Sequence, residues 1–102
     1  MASHLHLADK ATTYVAQLTS TATVLAVPGL VSAIGLRASG GAATMDLVDA
    51  ATAVSTPVVW GIGALNSGGS QAVTFSPPIR LGTGIRVVLS VNAQAYVAYR
   101  AE

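Results

Sequence analysis

His4 and His6, followed by Asp9, are the one grouping in the chain with metal-ligand character. On an extended strand both imidazoles project from the same side. A metal site needs three or four ligands and a hydrogen-bonded outer shell, and the chain offers no third histidine and no cysteine. No metal site is therefore expected. Residues 1–12 read instead as an N-terminal arm, in which His4, Leu5, His6, Leu7 and Lys10 are the candidate contacts to a neighbouring subunit. Its apolar and polar residues alternate, and ordering such an arm needs a surface to lie on.

The other candidate chemistries are weaker. A serine or threonine nucleophile needs a histidine base, and both histidines belong to the arm. Asp46 and Asp49 stand three apart and approach each other only on a helix; elsewhere they are turn and surface residues. Residues 35–40, with glycine at both ends, have the outer spacing of a phosphate loop. Gly41 and Ala42, however, stand where lysine and serine or threonine must hold phosphate and Mg²⁺. Gly61 and Gly63 lack a third glycine at the dinucleotide spacing. No catalytic residue and no cofactor are expected, and the chain does not read as an enzyme. Trp60, Tyr96 and Tyr99 could together form a platform for a sugar ring, but a tryptophan on an alternating strand is more often core.

Composition narrows the partners. Only 9% of the 102 residues are charged, against the usual quarter or so, while 52% are hydrophobic, nineteen of them alanine. Five cations, Lys10, Arg37, Arg80, Arg86 and Arg100, are scattered without a basic run, too few to neutralise many phosphates. Nucleic acid is not an expected partner. Residues 11–36 and 50–79 carry no charge at all, and both stretches are long enough to span a membrane. Thr12, Thr13, Gln17, Thr19 to Thr23 and Pro28 interrupt the first; Pro57, residues 66–70 and Pro77-Pro78 interrupt the second. These are strands separated by turns, not membrane helices. Lys10 followed by residues 22–33 imitates a secretory signal only loosely, and none is expected.

The elements that would position these residues alternate with a period of two. Ile85, Val87, Leu89 and Val91 share one face; Asn92-Ala93 turns into residues 94–100, and the pair is expected to form a C-terminal hairpin. Val58, Trp60 and Ile62 alternate with Val59, Gly61 and Gly63, followed by a turn at residues 66–70. Pro77-Pro78 should take the chain out of the sheet before residues 79–81 resume it. Residues 13–18, 22–27 and 30–38 are further strands; Met45, Leu47, Val48 and Ala51 could line a helix face as well as a strand, and the regular series of short strands favours a strand over 43–48 with a loop over 49–56. About eight short strands in one domain over residues 13–102 predict an all-β sandwich of jelly-roll type. Its expected core is Ile34, Leu36, Leu47, Trp60, Phe75, Val87 and Leu89.

Between Ile34 and Arg100 the order of residues carries a resemblance. Gly35-Leu36-Arg37 and a Gly-rich turn precede residues 43–50; after a loop come Gly68-Gly69-Ser70, residues 73–80, Gly84-Ile85-Arg86-Val87 and Ala98-Tyr99-Arg100. This pattern resembles the small virion structural proteins of tailed bacteriophages that decorate or cement capsids. The resemblance implies a jelly-roll-like fold, a homo-oligomer that is a trimer, the major capsid protein as partner, and a place on the capsid surface of the virion. A neck or tail adaptor is the alternative within that group, and a carbohydrate-binding sandwich module the alternative outside it. The low charge points to assembly independently: a monomeric sandwich guards its edge strands with lysine, proline or inward charges, and one lysine serves this entire chain.

Overall fold

The structure is a computed structural model that describes residues 13–102. The arm at residues 1–12, with His4, Leu5, His6, Leu7, Asp9 and Lys10, lies outside the described residues. Eight strands follow: β1 (Tyr14–Leu18), β2 (Ala22–Leu25), β3 (Gly29–Ala38), β4 (Ala43–Val48), β5 (Val58–Leu65), β6 (Ser70–Leu81), β7 (Ile85–Leu89) and β8 (Ala93–Ala101). They form two four-stranded antiparallel sheets, in the orders β1-β8-β3-β6 and β2-β7-β4-β5.

The pairing is nested. The β4–β5 ladder sits at the tip of one long hairpin, and β3 pairs β6, β2 pairs β7 and β1 pairs β8 behind it. Wrapping that ribbon on itself adds the β3–β8 and β4–β7 ladders and closes the two sheets over a common core. This is the jelly-roll topology expected from the strand spacing.

One expectation is corrected here. The C-terminal hairpin does not form: β7 belongs to one sheet and β8 to the other, so residues 90–92 cross the sandwich. Both strands alternate because each shows one face to the shared core, and alternation looks the same in a hairpin and in a crossover. Asn92 takes the left-handed conformation at φ 69°, and its carbonyl accepts the Ser39 N–H at 2.9 Å, which fixes the corner. At Pro77-Pro78 the ladder with β3 breaks as expected and resumes at Ile79, while the chain stays extended so that β6 runs through. Val31 faces Ile79 and Ala33 faces Thr74, so residues 75–78 bulge opposite Ser32 alone.

The core holds Val31, Ile34, Leu36, Met45, Leu47, Ile62, Leu81, Ile85, Val87 and Val97, with alanines filling the ends. Of the expected core, Ile34, Leu36, Leu47 and Val87 are buried, and Phe75 and Leu89 pack partly buried at its margin. Trp60 is not core: it is 43% exposed. It stands opposite Leu47 on the inward side of β5, but β5 is the last strand of its sheet. Its ring meets Phe75, on the bulged edge of the opposite sheet, edge-on at 5.2 Å.

Candidate functional site

Among the described residues no polar or charged residue is buried, and no three His, Cys, Asp or Glu side chains gather as a metal cluster. No helix among them is long and apolar enough to cross a membrane.

Asp46 and Asp49 are separated by the end of β4 and have different tasks. Asp46 lies in the strand opposite Gly61. Asp49, just past the strand, accepts the backbone N–H groups of Gly82, Thr83 and Gly84 at 3.2, 2.8 and 3.3 Å, so its carboxylate ties the β6–β7 turn to the β4 end. The glycine stretches are likewise structural. Gly35 lies within β3, Gly61 and Gly63 lie within β5, and Gly40 and Gly68 turn the chain at φ 85°. Arg80 and Glu102 form an exposed pair, bonded from Nη2 to Oε1 at 2.7 Å, and the bond and charge of Glu102 raise the arginine's pKa further.

The three aromatic residues considered as a platform are not brought together. Trp60 lies on the β5 edge, and Tyr99 faces inward with its ring 5.8 Å from that of Tyr14. Tyr96 stands on the outer face of the β1-β8-β3-β6 sheet. Two surfaces result.

The first is the open flank where β5 and β6 end their sheets. Val58, Val59 and Trp60 are 49%, 36% and 43% exposed, and no charged residue occurs between Asp49 and Arg80. Among the described residues the outer edge of β5 has no strand partner, and it runs beside exposed apolar side chains. The opposite flank, β1 and β2, is also an edge, with Val15 61% exposed.

The second is the groove around Tyr96. Gln17, Tyr96, Gly35 and Ala72 form one cross-strand row, and Gln94, Arg37 and Ser70 the next. A Cβ on Gly35 would meet Tyr96 Cε2 at 2.0 Å, so the ring lies down on the bare glycine backbone. The amino-acid spacing alone gave no sign of this, because Gly35 and Tyr96 are neighbours only across the β3–β8 ladder.

No protein-family model, curated protein or solved structure matches the chain.

Proposed function

We propose that this chain is a virion structural protein that decorates the capsid of a tailed phage and fastens neighbouring copies of the major capsid protein. The observation that carries this reading is the uncharged β5 flank, with Val58, Val59 and Trp60 half-exposed along an open strand edge. An isolated sandwich with such an edge is prone to pair with other chains, and burial against a copy or a shell removes that hazard. The sequence resemblance supplies the identity of the shell and the number of subunits, a homotrimer at threefold or quasi-threefold positions. Its two flanks differ, β1 with β2 on one side and β5 with β6 on the other, which suits a head-to-tail ring as closed cyclic symmetry requires.

Three linked contacts hold far more tightly than one, so a small interface per chain suffices. With few charges available, attachment rests on apolar and neutral polar contacts and withstands salt. Co-sedimentation of the purified protein with particles stripped of it tests the reading. Saturable attachment that persists in about 1 M salt, where the screening length is about 3 Å, supports it. Failure to bind the shell, or binding confined to tails, contradicts it.

A further inference from the structure

We propose that the groove around Tyr96 is a binding site for an acidic glycan, with one pyranose ring stacked on Tyr96 and its carboxylate at Arg37. The site is independent of the β5 flank and does not rest on the assembly role.

The starting point is the fixed ring. Tyr96 rests on Gly35, where any side chain would collide with it, yet it keeps 36% of its surface open. A ring pinned against the sheet loses little freedom when a ligand covers its outer side. The C–H face of a pyranose is an apolar disc that fits such a ring, while its hydroxyls need donors and acceptors around the rim.

That rim is present. Depressions of about 470 and 300 Å³ flank the ring, comparable to or at the lower end of ordinary small-molecule sites. Gln17 and Gln94 border the larger; Gln94, Arg37 and Ser70 border the smaller. Gln17 and Gln94, far apart in sequence, are brought to one aromatic ring by β1 and β8, whereas Gln71 pairs with the inward-facing Leu36 and belongs to the other side of its sheet. An amide carries two donors and an acceptor, the combination that matches a hydroxyl.

Charge selects the class of sugar. Arg37 is exposed and makes no ion pair among the described residues. It is a diagonal neighbour of Tyr96 across the β3–β8 ladder, a separation of about 7 to 8 Å that a single pyranose bridges. Among the described residues no carboxylate lines either depression. A lone guanidinium beside neutral amides complements one carboxylate on an otherwise uncharged polyol, and it is too little for a polyphosphate.

Titration of the full chain with tri-galacturonic acid and with maltotriose, followed by calorimetry and by NMR of the tyrosine rings, tests the proposal. The acidic trisaccharide is expected to bind and to shift the Tyr96 ring signals, with maltotriose about tenfold weaker. Y96A and G35A are both expected to weaken binding about tenfold, the second by displacing the ring without removing it. R37Q should abolish the preference for the acidic sugar. If the variants fail to fold, the ring shifts of the unaltered chain decide alone. Absence of binding by either sugar at about 10 mM overturns the proposal, as do unchanged affinity in folded Y96A, equal affinity for the two sugars, and burial of Tyr96 between copies of the chain. Attachment to particles is read separately and is expected to be unaffected by Y96A.

Discussion

Whether a glycine can be replaced depends on what its missing side chain would strike. At Gly84 a Cβ would lie 2.7 Å from the Ala50 carbonyl oxygen and 2.8 Å from that of Leu25, both backbone atoms that cannot swing away. G84A is therefore expected to cost about 1 to 3 kcal/mol in a urea melt, the range of an overpacked core. A change below about 0.5 kcal/mol would show that the two strand ends can separate freely. Asp49 holds the same junction by three accepted N–H bonds, and D49A should lose about 1 to 3 kcal/mol by the same measurement. Trp60, half-exposed and leaning on Phe75, should lose only about 1 to 2 kcal/mol as W60A, below the roughly 3 to 5 kcal/mol of a buried tryptophan. A loss in the higher range would mean that the β5 flank is covered in solution. These residues also show the limits of reading a sequence. Leu47 and Trp60 share an inward face, but burial depends on which strand is outermost, and that is a property of pairing rather than of alternation.

At the scale of elements, β4 was ambiguous by itself, since Met45, Leu47, Val48 and Ala51 could also line a helix, and it was legible as a strand only from the regular series of short strands around it. The strand at residues 58–65 was plain from Val58, Trp60 and Ile62 alternating with valine and glycine. Strand partners were not legible: the β7–β8 turn has the length of a hairpin, yet Asn92 turns it between sheets. The Tyr96 groove escaped for the same reason, since Gln17, Gln94 and Gly35 meet only through the β1–β8 and β3–β8 ladders. The β5 edge is the element on which assembly is proposed to turn. V59K places a charge on its outward side, a device by which monomeric sandwiches block edge pairing. It should leave the circular dichroism unchanged and reduce the mass in multi-angle light scattering from three chains to one. A persistent trimer would place the subunit contact elsewhere on the sandwich.

For the whole molecule, the nested ribbon accounts for how so small and weakly charged a chain makes a stable unit. Tyr14 pairs with Tyr99, so the outermost ladder joins the two ends of the described chain and ties the sandwich shut. Among the described residues the body has two flanks without sheet partners and one broad face carrying Tyr96, so the surface proposed for assembly and the surface proposed for ligand are separate. The central claim, that the body is a shell fastener, is tested most directly by electron cryomicroscopy of the source particles with and without the chain, combined with their resistance to heat. The account predicts three-lobed density above threefold or quasi-threefold positions of the head, its loss when the chain is absent, and earlier rupture of those heads on heating. Heads equally robust without the chain, or density for it only on the tail, would contradict the account.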